Sequence, residues 1–342
     1  MGTDKNLLFE VKALKKYYPV ERGFLKKRRG QVKAVDGVSL RLYRGETLGL
    51  VGESGCGKST IGRCLLKGEE PTEGQIFYPL DEQAAVDIVP LSQKELRMRG
   101  FRRKTQMIFQ DPKSSLNPRY TVMDIISEPM IVNKLYDPKE RLEKVKHLMQ
   151  LVGLDTKYLK RYPHAFSGGQ RQRISIARAL GTNPEFIVAD EPTASLDVSV
   201  QAQILNLMKE LQQRFQLTYL FISHNLGVVR FMCDRIAVMY LGRMVEYGTN
   251  DDIFQQPLHP YTEALLKSIP VADPNVPSGI YTIGGEIGNP MNPPSGCRFH
   301  PRCKYATEQC KALAPELKEI SPGHYAACHY AGELALEGIR KS

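Results

Sequence analysis

Thr47-Leu48-Gly49-Leu50-Val51-Gly52-Glu53-Ser54-Gly55-Cys56-Gly57-Lys58-Ser59 is the stretch whose reading decides the fold. Its first five residues make a short run of the buried-strand type, and its last eight satisfy the phosphate-loop pattern G-x-x-x-x-G-K-[ST] in full. The glycines let successive backbone N–H groups turn inward around phosphate oxygens. A helix predicted from about Lys58 to Lys67 aims its positive dipole end at them. In that geometry Lys58 reaches the β- and γ-phosphates and the Ser59 hydroxyl holds Mg2+. At average composition the four fixed positions coincide by chance in roughly one chain of this size per hundred. An idle glycine turn would also need neither the strand before it nor the helix after it.

Working outward, Phe186-Ile187-Val188-Ala189 and Leu217 to Ile222 are two further apolar runs, each followed by polar residues and a helical pattern. Strand, turn and helix recurring in this order predict an α/β core around a largely parallel sheet. The first run ends in Asp190, placed to bind Mg2+ through water, and Glu191 follows immediately. Phosphoryl transfer to water needs a group that orients the attacking molecule, and the Glu191 carboxylate has that chemistry. Gln110 closes Thr105-Gln106-Met107-Ile108-Phe109, and His224 follows Phe221-Ile222-Ser223. Ligands of open α/β sheets lie at the carboxyl ends of the strands, so both can face a nucleotide, although a histidine there is more commonly a capping or packing residue. Residues 1 to about 50 read as short alternating β stretches broken by Gly37 and Gly45. From about 112 to 182 the pattern is helical: Leu142, Val145, Leu148 and Met149 recur at helical spacing, and Ser167 opens a helix reaching about Leu180.

The 342 residues suffice for about two domains with full-sized cores, and 42% apolar with 25% charged residues excludes the disordered and fibrous classes. No run of about 18 uncharged apolar residues exists, and the start, with Asp4 and Glu10, lacks a secretory h-region, so a cytoplasmic chain is expected. Forty-seven Lys and Arg against 37 Asp and Glu leave a net charge of +10, compatible with nucleic acid, a membrane surface or anionic small ligands. The densest cluster, Lys26-Lys27-Arg28-Arg29, reads as a solvated loop without the interleaved aromatics of a single-strand groove. Beyond about 258 the composition shifts. Pro270, Pro274, Pro277, Pro290, Pro293 and Pro294 predict loop, and the stretch from Pro79 to Pro90 carries no assigned role. The last 46 residues hold Cys297, Cys303, Cys310 and Cys328, spaced C-x5-C-x6-C-x17-C, among His300, His324 and His329, which read as solvated or supporting residues. In a reducing compartment four clustered cysteines favour a metal over disulfides, and four thiolates suit either zinc or an iron–sulfur cluster. Cys56, Cys64 and Cys233 read as small packing residues.

Ser167-Gly168-Gly169-Gln170, followed by Arg171-Gln172-Arg173, resembles the signature motif of the ABC (ATP-binding cassette) ATPases. The order of phosphate loop, Gln110, SGGQ, Asp190-Glu191, Ser195-Leu196-Asp197 and His224 is similar to that family's order, over about residues 7 to 256, with Phe166 where the family more often has Leu. The resemblance implies an α/β fold: a P-loop ABC ATPase core with an antiparallel β subdomain and a helical subdomain, plus a Cys-containing C-terminal extension. It implies a nucleotide-binding domain over 7–257, its helical subdomain at about 112–182, and an extension over 258–342. It further implies that ATP is held by Gly52, Ser54, Gly55, Cys56, Gly57, Lys58, Ser59 and Thr60, with Mg2+ on Ser59, Gln110 and Asp190. Glu191, His224 and Gln110 serve hydrolysis. Ser167, Gly168, Gly169, Gln170 and Asp197 complete the site of a facing cassette, two cassettes packing head to tail around two ATP molecules. One chain with one loop and one SGGQ should not work alone. An adenine-stacking aromatic is implied upstream: Tyr18, with Tyr17 and Phe24 as rivals because the stretch from Val20 to Val32 is longer than in many cassettes.

Within the family, AVDGVSLRLYRGETLGLVGESGCGKST, QMIFQDPKSSLNPRYTV, RYPHAFSGGQRQRISIARAL, DEPTASLDVSVQAQIL and, at 259–270, HPYTEALLKSIP resemble the ATP-binding subunits of peptide/nickel-type importers, the oligopeptide and dipeptide permeases, and most the second of their two non-identical ATPases. This likeness implies a peripheral subunit on the cytoplasmic face of the cell membrane, paired with a homologous second ATPase subunit. It implies docking on two membrane permease subunits through about Asp111 to Arg119, and service by an extracytoplasmic substrate-binding protein. Uptake of di- or oligopeptides is the implied task, with nickel chelates or oligosaccharides as alternatives. The GCRFHPRC tail is similar to those that hold a [4Fe–4S] cluster on four cysteines, with Zn2+ as the alternative. A soluble ABC ATPase acting on nucleic acid fits less well. Only about 108 residues lie between Lys58 and Ser167, too few for the heptad arms of DNA-acting members, and translation-factor members carry two cassettes per chain. A kinase would have no use for SGGQ.

Overall fold

The computed structural model describes residues 6–22, 27–80, 85–269, 284–286 and 288–339. They fall into two compact units. One contains residues 6–9, Leu42–Thr47 and Phe77–Ile222; the other contains the described residues of Glu10–Arg41, Leu48–Ile76 and 223–339. Among the described residues no helix is long and apolar enough to cross a membrane.

In the first unit Thr105–Ile108, Phe186–Asp190 and Thr218–Ile222 run parallel, with Phe186–Asp190 in the middle; Phe186 is in register with both Thr105 and Thr218. The two apolar strands are buried along their whole length, which is why they read as continuous runs and not as alternating ones. Phe9 packs its ring 4.7 Å from Phe186 and 4.8 Å from Tyr78, and Tyr78 meets Phe101 edge-on at 5.1 Å. The helical stretch forms as expected, with Val122–Val132, Pro138–Leu151 and Gly168–Leu180 as its main helices. Each starts where a side chain replaces the missing backbone partners: Thr121 with Asp124, Asp137 with Glu140, and Ser167 with Gln170 all close reciprocal capping boxes. In Pro138–Leu151, Val145, Leu148 and Met149 face inward at the spacing that predicted the helix. Val86–Asp87, in the Pro79–Pro90 stretch, pairs antiparallel with Phe77 and Tyr78; residues 81–84 lie outside the described residues.

In the second unit Leu48 to Val51 pair parallel with Arg235 to Val238. Arg235–Tyr240 and Arg243–Thr249 form a hairpin whose turn residues Leu241 and Gly242 have φ of 43° and 79°, the left-handed pair that suits the twist of a two-residue hairpin. The tail is not all loop. His324–Ala326 adds antiparallel to Arg243–Thr249, and Lys318–Ser321 adds to His324–Ala326. Lys27–Tyr43, Leu7–Arg22 and Glu73–Tyr78 lie side by side in that order.

Three expectations are corrected here. The early β stretches are two strands of 16 and 17 residues, the second continuing through Gly37 despite its φ of 77°. The backbone of Lys27, Arg28 and Arg29 belongs to that second strand and not to a loop, while Lys26 lies outside the described residues. The helix after the phosphate loop is Lys58–Leu65, ending two residues early; Lys67 has φ of 50° and is 1% exposed, its ammonium paired with Glu70. Pro290, Pro293 and Pro294 are in irregular chain as predicted; Pro270, Pro274 and Pro277, like Phe24, lie outside the described residues.

Candidate functional site

The second unit carries the phosphate loop. Gly52, Gly55 and Gly57 have φ of 145°, 79° and 104°, conformations that side chains resist. Space forbids a side chain as well: a Cβ on Gly52 would stand 2.2 Å from the Met239 carbonyl oxygen, and one on Gly57 would stand 2.0 Å from that of Ala34. The result is a tight cradle opening at the first turn of Lys58–Leu65, with Ser54 and Gly55 exposed and Cys56 buried beneath. Lys58 is 5% exposed, and its ammonium donates to the carbonyls of Gly52 at 2.7 Å and Glu53 at 2.9 Å, so the buried charge is held at the loop itself. Ser59 and Thr60 follow in the same turn. The cradle and its donors fit a triphosphate with its Mg2+.

Tyr18 is half-buried, its hydroxyl on Glu69 and within reach of Thr60, and the two contacts place it by the helix that opens the cradle. Burial and the Glu69 carboxylate push its phenol up to about 12. Tyr17, next along the strand, points the other way, and its hydroxyl donates to Asp36. His224 is exposed between Ser223, whose N–H meets the Leu50 carbonyl at 3.4 Å, and Asn225, which caps Leu226–Met232.

The first unit brings the other candidates together in two groups. Gln110 donates from Nε2 to Oε2 of Glu191 at 3.0 Å. Asp190 is 4% exposed at its strand end, and Glu191 leaves the strand with φ of 46°, its N–H on the Ile222 carbonyl at 2.9 Å. The second group is the SGGQ turn. Ser167 Oγ accepts the Gln170 N–H at 3.3 Å and Gln170 Oε1 accepts the Ser167 N–H at 3.1 Å, fixing the helix start. A Cβ on Gly169 would stand 2.4 Å from Val200 Cγ1, and one on Gly168 would stand 3.3 Å from Leu196 Cδ2, so the turn packs on both sides of Asp197. Ser167, Gly168 and Asp197 are exposed, leaving this helix start open to a partner.

Cys297, Cys303, Cys310 and Cys328 all line one small pocket, with His259, Phe299, His300 and His329. Burial pushes the Cys297 and Cys328 thiols up to about 11 and raises Cys303. A lone zinc ion needs its sulfur ligands within about 2.3 Å of one point. Among the described residues no group of three or more His, Cys, Asp or Glu side chains is arranged to hold a metal ion. His324 is not solvated: it is 2% exposed, with Nε2 2.8 Å from Oε1 of Glu246, whose carboxylate also accepts the N–H groups of Leu258 and His259. Cys56, Cys64 and Cys233 are buried as expected.

Several residues escaped the sequence reading. Arg302, beside Cys303, binds the Glu53 carboxylate with both terminal nitrogens, at 2.8 and 3.0 Å. Arg298, beside Cys297, donates to Asp36 and to the Leu241 carbonyl. Burial alone would raise the Asp36 carboxyl, but the Tyr17 hydroxyl and the Arg298 and Arg243 guanidiniums outweigh it and hold it below the usual range. Only the arginines set among the cysteines of Gly296-Cys297-Arg298-Phe299-His300-Pro301-Arg302-Cys303 hinted at this, since their partners lie far off in the chain.

Comparison with known proteins agrees with this arrangement. Residues 35–194 match the ABC transporter family, and residues 245–310 match the oligopeptide/dipeptide transporter C-terminal region. The oligopeptide transport ATP-binding protein AppF of Bacillus subtilis is 52% identical over 330 residues, covering 96% of this chain and 98% of the relative. The dipeptide transport ATP-binding protein DppF of Haemophilus influenzae is 50% identical over 323 residues, 94% of this chain and 96% of its own length. Among solved structures, a dimeric post-hydrolysis state of the ATP-binding cassette MJ0796 bound to ADP and Pi aligns with a TM-score of 0.61 and 28% identity, covering 71% of this chain and 99% of that one. With these lengths and identities, the chain belongs to the ABC transporter ATP-binding proteins, in the group that carries the oligopeptide/dipeptide transporter C-terminal region.

Proposed function

We propose that the protein is the ATP-hydrolysing subunit of an importer that carries di- or oligopeptides across the cytoplasmic membrane. The observation that carries this reading is the presence of both family matches on one chain: residues 35–194 are common to ABC transporters at large, whereas residues 245–310 belong to the oligopeptide/dipeptide group. Relatives named for oligopeptide, dipeptide and di/tripeptide transport support it. On this reading the cassette spans 7–257 with its helical subdomain at 112–182, and the extension spans 258–342.

Lys58 and the loop amides grip the β- and γ-phosphates. Ser59, Gln110 and Asp190 would hold Mg2+, which would supply positive charge to the phosphate oxygens. Glu191 takes the proton of the attacking water; Gln110 and His224 orient it, and Tyr18 stacks on adenine. The exposed helix start at Ser167–Gln170, with Asp197, completes the site of a homologous second ATPase. Closing the pair on ATP moves two permease subunits that Asp111 to Arg119 contact, and hydrolysis resets them, a two-state switch biased by the γ-phosphate. The subunit sits peripherally on the cytoplasmic face, and a substrate-binding protein delivers the peptide from outside. We assign a [4Fe–4S] cluster to Cys297, Cys303, Cys310 and Cys328; it would supply an electron-carrying cross-link to the tail.

Co-purification with two permease subunits and a homologous ATPase, followed by ATP hydrolysis in proteoliposomes, tests the transport reading. Hydrolysis should rise when a peptide-loaded binding protein is added. Salt-dependent DNA binding without permease association would overturn it. Anaerobic purification should give visible absorbance that bleaches on reduction, with four irons per chain; a colourless protein with one zinc would refute the cluster.

A further inference from the structure

Glu53, the second residue of the phosphate loop, is held at two points by residues more than 200 positions away. Its carboxylate takes both terminal nitrogens of Arg302, whose side chain is 4% exposed, and its backbone N–H donates to the Tyr261 hydroxyl at 2.9 Å. Arg302 is itself fixed, donating to the Tyr240 hydroxyl at 3.3 Å and to the Gly284 carbonyl at 3.1 Å. Behind the pair stands a buried aromatic wall: the Tyr240 ring lies 4.7 Å from Tyr261 and 5.3 Å from Phe299, and Tyr261 lies 5.3 Å from Phe299. All of these residues belong to the second unit.

A carboxylate at this place works against the loop's own task. It adjoins Gly52, whose carbonyl takes the Lys58 ammonium, and without a partner it would compete for that ammonium and repel a triphosphate. A bidentate guanidinium neutralises it and, being planar and rigid, also fixes its direction. We propose that Arg302 and Tyr261 are positioning residues of the nucleotide site, through which the C-terminal part of the chain sets the charge and shape of the phosphate loop. The inference rests on the reading of residues 52–59 as the ATP phosphate site.

The test is calorimetric titration of the full chain with Mg-ATP, with folded fraction and melting temperature measured for each variant. Arg302→Gln should weaken ATP binding between about 5- and 150-fold, the usual span of coupling between linked sites. Arg302→Lys should recover part of the loss. Removing the carboxylate as well, in Arg302→Gln/Glu53→Gln, should restore affinity toward wild type, because no uncompensated charge is left. Tyr261→Phe keeps the buried ring and should weaken binding without lowering the folded fraction. It decides the matter if Arg302→Gln fails to fold, since wild-type affinity in Tyr261→Phe would then overturn the proposal. Wild-type affinity in folded Arg302→Gln, or losses that simply add in the double variant, would also overturn it. Lys58→Ala separates the two readings: if it also binds ATP like wild type, the phosphate-site reading fails, whereas if it alone loses binding, only the role of Arg302 and Tyr261 fails.

Discussion

The loop Gly52–Ser59 and the turn Ser167–Gln170 are both glycine-rich helix starts suited to anions, yet they are built in opposite ways. In the loop the backbone is locked by other backbone: the Met239 and Ala34 carbonyl oxygens leave no room for a Cβ on Gly52 or Gly57, and the buried Lys58 ammonium is held by the loop's own carbonyls. In the turn a side-chain capping box supplies the order, Gly168 faces only the movable end of Leu196, and Ser167 and Gly168 are exposed. One is an enclosed cradle that can grip phosphate by itself. The other is a surface turn: Gly169 is buried against Val200, while the exposed Ser167 and Gly168 leave the helix start accessible, as the proposed shared site would require.

Replacing a glycine in each tests the contrast most severely. Gly57→Ala drives a methyl group against the Ala34 backbone oxygen, 2.0 Å away, at a φ of 104°. It should cost about 3 kcal/mol or more in urea unfolding and abolish ATP binding by the single chain. Gly168→Ala meets only Leu196 Cδ2 at 3.3 Å, so its stability should stay within about 0.5 kcal/mol of wild type. Single-chain ATP binding should be unchanged, and only the paired assembly should lose hydrolysis. Loss of single-chain binding in Gly168→Ala would erase the distinction between cradle and surface.

Glu191→Gln comes next. The substitution keeps the size and the reach to Gln110, now at 3.0 Å, but removes the proton acceptor. Hydrolysis should fall at least about 100-fold while ATP is retained and the closed pair accumulates, seen by size exclusion and single-turnover assay. A normal rate would show that the carboxylate is not the group that activates water, whatever loop and turn are doing.

The same contrast explains what could be read without coordinates. Both glycine sites are contiguous, and their local chemistry is complete within eight and four residues, so pattern alone finds them. The apolar runs at 186–189 and 217–222 were legible because burial on both faces leaves no alternation to interpret. Pairings across long stretches of chain were not. Nothing near Glu53 announces Arg302, and nothing near Glu246 announces that His324 would be buried against it. The strands Lys318–Ser321 and His324–Ala326 are short and polar, and they take their conformation from pairing with each other and with the edge of Arg243–Thr249. Lys27–Arg29 belong to the strand Lys27–Tyr43 despite their charge, and that strand neighbours Leu7–Arg22 in the sheet. In each case tertiary pairing overrode local composition.

The smallest effect separates the two functions of the turn itself. Ser167→Ala removes the hydroxyl that accepts the Gln170 N–H and should cost about 1 kcal/mol, the usual worth of an N-cap. Ser167→Asp restores a cap acceptor, and its charge suits the helix dipole, so stability should return to wild type or slightly above. That same charge would face the γ-phosphate of a partner's nucleotide. If the turn is a surface for a foreign phosphate, the aspartate variant should therefore be stable by urea titration, bind ATP normally through its own loop, and still fail to support hydrolysis in the pair. Alanine, being uncharged, should retain a larger share of the rate despite its weaker fold. The two variants thus rank in opposite order for stability and for activity, whereas a cap serving the helix alone would give the same order in both.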